Sequence, residues 1–384
     1  MGITTYKWRS LMKYSTVYVG MDVHKETFSV CCYTNEDEKA EYCQTMDAHY
    51  SKVLNYLEAM RFHYGEDALF ICGYEAGCLG YTLYHQLTEH GVKCVILAPS
   101  TMPKRASEKK IKTDKRDAAL IARCLAHKDY KAVYIPTDKD EQIKEYIRMR
   151  DDHNIALKKV KQQILSFCLR HNYRYEGTKK HWTHAHIDWL RNLQPEGLYR
   201  EILEEYLATF FTLKDKIDRI DFRIEELASE EEYKDKVNKL VCFIGIKTHT
   251  ALSLIAETGD FNRFKDARSY SAYLGLVPGE SSSGPKKTGL SITKAGNNHL
   301  RRLLIEAAQC YGRGQVGYKS RHIKARQNGN PAMVVAYADK ANVRLRKKLY
   351  HMTLGNGKKG NVAKTAIARE LSCFIWGMMT EKYI

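Results

Sequence analysis

The chain is expected to fold as an α/β domain, then a helical coiled-coil middle, then a mainly α-helical last domain. Short β-branched runs alternate with amphipathic stretches up to about residue 130. An a/d apolar repeat follows in long charged segments. The remainder shows only helical periodicity, with a strong excess of basic residues.

Residues 16–34, TVYVGMDVHKETFSVCCYT, alternate polar and β-branched positions around a short polar turn, which predicts two strands. A third strand is expected over 40–46. A helix follows over 50–63, with Val53, Leu54, Leu57 and Met60 on one face. LFICGYE at 69–75 is a short apolar run of the buried-strand kind. A helix over 81–90, a strand over 93–99 and a helix from Asp114 to about His127 complete the pattern. Three strands, then alternating helix and strand, is the order of an RNase H-like α/β domain.

Beyond Asp138, Leu157, Val160, Ile164 and Phe167 recur at heptad spacing, as do Leu213, Ile217, Ile220, Ile224 and Leu227. Two such segments around an aromatic, histidine-rich joint fit an antiparallel helical hairpin; the same seam also suits dimerisation. LVCFIGIKTHTALSLIAETGDF, from Leu240, reads as a helix-hairpin-helix-like segment: Gly245 makes the tight turn, and a helix N-terminus faces outward. A Ser/Gly/Pro/Lys loop over 279–291 and a Gly-rich basic linker over 312–330 separate the remaining helices, the last two spanning 332–350 and 362–379. The domain boundaries expected are 1–138, 139–237 and 238–384.

Net charge is +17, and segment 286–384 holds 20 Lys and Arg against 4 Asp and Glu, so nearly the whole excess lies there. Charge segregated into one domain is the footprint of a polyanion partner. No apolar run is long enough to span a bilayer, and mean hydropathy is −0.49, so no membrane association is expected. The opening residues lack the apolar stretch of a secretory signal. Eleven cysteines without C-x-x-C pairs, several on apolar strands (Cys31, Cys72, Cys94), read as reduced buried thiols of a cytoplasmic protein. His181, His184 and His186 lack a cysteine partner at zinc-finger spacing, and a polar helix edge or nucleic-acid contact suits them better.

Four carboxylates carry the chemistry. Asp22 falls on the first strand, Glu75 ends another, and Asp114 and Asp117 stand three apart at a helix start, facing one way. Acidic groups converging from separate elements repel each other unless divalent cations neutralise them, and oxygen donors of this kind suit Mg²⁺. Each has an ordinary alternative as a turn residue, N-cap or ion-pair partner; the set together points to metal-assisted attack on a phosphodiester. The serines of PGESSSGPKKTG (Ser281, Ser282, Ser283) supply a candidate nucleophile, although the same composition makes an ordinary flexible loop.

YVGMDVHKE, GYEAG, KTDKRDA and the downstream ESSSG…GLSITKAGNNHLRRLL resemble, in order and spacing, the DEDD transposases of bacterial insertion sequences, the IS-110 family. The resemblance runs from about Tyr18 through the last domain; the middle helices match in character only. It implies a RuvC-like nuclease domain with Asp22, Glu75, Asp114 and Asp117 as the catalytic metal-binding set. It also implies Mg²⁺ as cofactor, with Mn²⁺ as a substitute, and a C-terminal transposase domain with a catalytic serine. The family places that serine directly before a glycine, a few residues after a G-L-x-P segment, which here selects Ser283, with Ser282 next. The turn Gly245-Ile246-Lys247 departs from the family's G-I-G. Lys286, Lys287 and Lys294 are placed to hold phosphate, and Arg301 and Arg302 extend the nucleic-acid-binding set. The implied partners are double-stranded donor and target DNA, a structured non-coding guide RNA, and further copies of the chain in a homodimer or homotetramer. The alternatives are a Piv-like site-specific DNA invertase, a structure-selective junction nuclease and a non-catalytic nucleic-acid-binding protein.

Overall fold

The computed structural model describes residues 15–77, 79–99, 102, 113–283 and 286–383, with residues 280–289 placed by their backbone alone. The chain falls into two compact units, Met1–Ile135 and Pro136–Ile384.

The first unit is built on β1 (Thr16–Val23), β2 (Thr27–Tyr33), β3 (Ala40–Asp47), β4 (Leu69–Glu75) and β5 (Lys93–Leu97). Their order is β3-β2-β1-β4-β5, with β1–β2–β3 antiparallel and β1–β4–β5 parallel. This mixed sheet is compatible with an RNase H-like fold. Alternation sorts its residues onto two faces. Val17, Val19 and Met21 of β1 and Phe70, Cys72 and Tyr74 of β4 share a core with helices α1 (Tyr50–Tyr64) and α2 (Thr82–Glu89). The opposite face takes α3 (Asp114–His127), whose Ile121, Cys124 and Leu125 pack with Leu97.

That second face has glycines where α3 comes closest. A Cβ on Gly20 would overlap the Ala118 carbonyl oxygen and the Ala122 backbone, and one on Gly73 would meet the Leu125 methyls at 2.9 Å. Gly20 and Gly73 are direct partners across β1 and β4. Two neighbouring strands therefore let the helix down onto the sheet at one level. Alternation puts the residues two steps further along, Asp22 and Glu75, on that same face, with Asp22 beside the start of α3.

One cysteine expectation needs correction. Cys31 is disulfide-bonded to Cys43 rather than free. The β2–β3 register slips between Val30 and Cys32, so Tyr42 and Cys43 together oppose Cys31, and the two half-cystine Cα atoms lie 4.2 Å apart. Cys72 and Cys94 are free buried thiols. Burial pushes Cys94 up to about 12 and Cys72 also well above its ordinary value, so neither is a ready nucleophile.

In the second unit, α4 (Asp138–Arg170) and α6 (Leu198–Ala228) run antiparallel with α5 (His184–Asn192) at their joint. Side-chain pairs fix the direction: Arg150 chelates Asp221 at 2.8 and 3.0 Å, whereas Phe167 meets Tyr199. Leu157, Val160, Ile164 and Phe167 are buried with Leu203, Leu207, Phe210 and Ile217 inside the chain. At the other end, Ile143, Ile147, Ile220 and Ile224 join the core of the following helices, so segments 139–237 and 238–384 form one compact unit. Those helices are α7 (Glu231–Leu240), α8 (Thr248–Thr258), α9 (Ala267–Tyr273), α10 (Asn298–Gln309), α11 (Arg321–Gln327), α12 (Ala332–Tyr350) and α13 (Gly360–Met379). Gly245, between α7 and α8, has φ +85°, and a Cβ there would overlap the Ala307 carbonyl.

Two expected loops are partly ordered elements. The serine segment is a hairpin of β6 (Pro278–Ser283) and β7 (Lys286–Ile292), and the basic linker contains α11. Among the described residues no helix is long and apolar enough to cross a membrane.

Candidate functional site

Asp22 is the last-but-one residue of β1, with a side chain only 17% exposed. Glu75 ends β4, one step beyond the paired residues Met21 and Tyr74 of the parallel β1–β4 ladder. Asp114 and Asp117 occupy the first turn of α3, where the helix dipole favours negative charge. The structure thus sets these four acids at two adjacent strand ends and one helix start on a single face of the sheet.

Their proximity shows in the acidity of Asp22. Burial raises its carboxyl pKa most; His24 pulls it down, and the charges of Asp117 and Asp114 push it up again, leaving it above the usual value. A carboxylate held between burial and two other acids is a donor set that a cation would relieve. The residues fit a divalent ion held by oxygen.

Sequence reasoning does not single out His24. Its Nε2 lies 3.3 Å from Oδ2 of Asp22 and 3.8 Å from Oδ1 of Asp114. It opens the turn between β1 and β2, its amide donating to the Thr27 carbonyl at 3.0 Å. The legible signal is its spacing: two residues after Asp22, alternation returns the chain to the same face. Asp22, His24 and Asp114 are the one cluster of possible metal ligands at such spacing among the described residues. His181, His184 and His186 do not gather in this way. His186 is buried instead, accepting the Trp182 amide at Nδ1 from 3.2 Å.

The serines belong to the other unit. Hairpin register sets Ser283 opposite Lys286, Ser282 opposite Lys287 and Ser281 opposite Thr288. Residues 281 and 283 therefore occupy one face of the ribbon and residue 282 the other. The side chains of Ser281, Ser282, Ser283, Lys286 and Lys287 lie outside the described part of the structure, as do Gly284 and Pro285 altogether. Lys294 follows the hairpin, exposed, with φ +56°.

Arg301 and Arg302, on α10, have partners within the fold. Arg301 donates to the Leu274 carbonyl at 2.9 Å, and Arg302 reaches Asp151 at 2.5 Å and Glu306 at 3.4 Å. Asp151 is the hub of a buried network. His299 Nε2 donates to it at 2.7 Å and His249 lies 3.4 Å away, while Nδ1 of His299 lies 2.7 Å from Glu257. Glu257 also accepts from Arg148 at 3.1 and 3.2 Å and from Asn297 at 2.5 Å. The network ties α4, α8 and α10 together.

Burial opposes charge on His299, but Asp151 and Glu257 outweigh it and raise it to about 8; burial also opposes charge on Glu257, but His299, Arg148 and Asn297 hold it down at about 2. A raised histidine contributes stability that is complete below its unfolded value of 6.5 and is lost as pH climbs through about 8. The melting temperature is expected to fall between those pH values. His299→Gln should flatten this step, which melts recorded across the pH range will check.

Two sequence families match the chain. Residues 19–172 match DEDD-type transposases, and residues 239–321 match a family described as "Transposase IS116/IS110/IS902 family". The chain is 33% identical over 341 residues to the transposase for insertion sequence element IS1533 of Leptospira borgpetersenii, covering 88% of this chain and 96% of that protein. It is 22% identical over 392 residues to the transposase for IS1111A of Coxiella burnetii, covering 99% and 94%. It is also 23% identical over 300 residues to a pilin gene-inverting protein of Moraxella lacunata, covering 77% and 82%.

Proposed function

Since the chain belongs to the IS110 family of bacterial insertion-sequence transposases, we propose that it cuts and exchanges DNA strands by a serine nucleophile assisted by a DEDD metal site. The observation that carries this reading is the gathering of Asp22 and Asp114 with His24, their ligand atoms within 4.8 Å of one another, where the charges of Asp117 and Asp114 add to burial in raising the pKa of Asp22. Asp22, Glu75, Asp114 and Asp117 would hold Mg²⁺ or Mn²⁺. When bound, the cation withdraws charge from the scissile phosphate and lowers the cost of deprotonating the attacking hydroxyl.

In this mechanism the Ser283 Oγ attacks phosphorus, the bond to the 3′-oxygen breaks, and that oxygen leaves as a hydroxyl once protonated. The DNA end is held as a phosphoserine ester. Attack by the 3′-hydroxyl of a partner strand reverses the step and releases the serine, conserving the phosphodiester without net hydrolysis. Lys286, Lys287 and Lys294 neutralise phosphate oxygens around the hairpin. Carboxylates and serine belong to separate units, so the reading requires them to meet in the active assembly, a dimer or tetramer. The turn at Gly245 supports a helix-hairpin-helix contact to the DNA backbone, and the α4–α6 pair a coiled-coil arm. Sequence choice falls to a structured non-coding RNA paired with donor and target DNA, and the basic surface reads shape and backbone. The site of action is the cytoplasm.

The likeness to pilin gene-inverting proteins favours a second reading, a site-specific invertase with the same residues and a different outcome. A non-coding stretch beside the gene able to fold into stem-loops separates the two, in favour of the RNA-guided reading.

Binding is tested through salt. Every phosphate left without its neutralising cation flattens the slope of log affinity against log salt by roughly 0.7–0.9. Replacing Lys286, Lys287 and Lys294 together with Gln should flatten it by about 2 and weaken DNA binding at every sequence alike. Fluorescence anisotropy titrations at several salt concentrations measure this; an unchanged slope removes the hairpin from the phosphate-binding surface.

A further inference from the structure

We propose that His24 is a direct ligand of the metal site, through Nε2, and that it biases the site toward first-row transition cations such as Mn²⁺ over Mg²⁺. The inference rests on the metal-site reading above and adds to the four carboxylates a nitrogen donor outside that set. Its geometry is specific. Nε2 stands 3.3 Å from Oδ2 of Asp22 and 3.8 Å from Oδ1 of Asp114, and the three donor atoms lie within 4.8 Å of one another. Ligand atoms about 2.1 Å from an octahedral ion sit roughly 3 Å apart along an edge. Side-chain rotations that draw Asp22 and Asp114 closer would turn this triangle into one face of such an octahedron.

The three donors are also held independently. Asp22 is fixed in β1, Asp114 in the first turn of α3, and His24 by the turn whose amide–carbonyl bond to Thr27 closes the β1–β2 hairpin. His24 is 52% exposed, so no packing against the core accounts for the direction of its ring. An ion pair to the two acids is the competing explanation, and it differs in one respect: it places no nitrogen on a metal. Imidazole nitrogen binds Mg²⁺ poorly and transition cations well, and affinity rises from Mn²⁺ along the first row. A site with one nitrogen among its oxygens therefore discriminates where an all-carboxylate site does so weakly.

The test uses the full-length protein loaded with Mn²⁺ alone and needs no DNA. Pulsed electron paramagnetic resonance should show a ¹⁴N coupling from a directly bound imidazole in the wild type, absent in His24→Ala. Mn²⁺ affinity of His24→Ala should fall about tenfold or more while Mg²⁺ affinity changes little, so Mg²⁺ should displace Mn²⁺ from the variant at roughly a tenfold lower ratio of Mg²⁺ to Mn²⁺. Circular dichroism confirms that the variant folds, and His24→Gln, which keeps a polar side chain, should also lack the coupling. Bound Mn²⁺ without nitrogen coupling in the wild type, or a coupling that persists in His24→Ala, overturns the role of His24 and leaves the carboxylate site standing. Asp114→Asn separates the two claims: if it binds Mn²⁺ as tightly as the wild type, the carboxylate reading itself fails and the inference falls with it.

Discussion

Asp114→Asn is expected to abolish strand cleavage, by about a thousandfold or more, while leaving the protein folded. The side chain of Asp114 is 54% exposed, so an isosteric amide disturbs no core packing. Its charge acts in two opposed ways in the metal-free protein: it suits the N-terminus of α3 but repels Asp22, whose pKa it helps to raise. These effects nearly cancel, and the stability change should stay within about 1 kcal/mol. Asp22→Asn, Glu75→Gln and Asp117→Asn should act alike on cleavage. Cleavage assays with Mg²⁺, beside denaturation curves, separate this outcome from misfolding. Full activity in Asp114→Asn, or in EDTA, would sink the metal assignment.

Ser283→Ala should remove every denaturant-resistant protein–DNA adduct while metal and nucleic-acid binding persist. A nuclease that activates water leaves nothing attached to the protein; a rejoining enzyme that works through serine has to store the phosphodiester as an ester. The hairpin register sharpens the expectation, because Ser283 and Ser282 fall on opposite faces of the β6–β7 ribbon. In the proposed mechanism one face of the ribbon meets the phosphate. Ser282 is the second candidate, and loss of the adduct in Ser282→Ala but not in Ser283→Ala would keep the serine mechanism and move the attack to the other face of the ribbon. If the triple substitution at 281–283 still cuts and rejoins, water or a 3′-hydroxyl is the attacking group.

Local patterns are readable wherever one face of an element is buried. Alternation in VYVGMD and the short run LFICGYE place β1 and β4, and so place Asp22 and Glu75 at strand ends. Asp114 opens α3 as its spacing from Asp117 implies. The serine hairpin is less legible, since PGESSSGPKK has loop composition and only TGLSI shows a period of two. α11 is hidden by Gly and basic residues on both sides. The Cys31–Cys43 bond depends on a register slip that no spacing reveals. The Asp151–His299–Glu257 network joins residues more than a hundred positions apart, and only packing of α4, α8 and α10 creates it. For the same reason Arg302, basic and exposed by its sequence context, turns out to be tied to a buried carboxylate.

The most direct measurement is peptide mapping by mass spectrometry of the adduct that the wild-type protein forms with its donor DNA, any required RNA and Mg²⁺, beside a matched reaction in EDTA. The account predicts a nucleotide remnant on the peptide containing residues 281–283, localised to Ser283, and no adduct without the metal. Cleavage with no adduct, an adduct on a residue outside that hairpin, or an adduct that forms equally well in EDTA would contradict it.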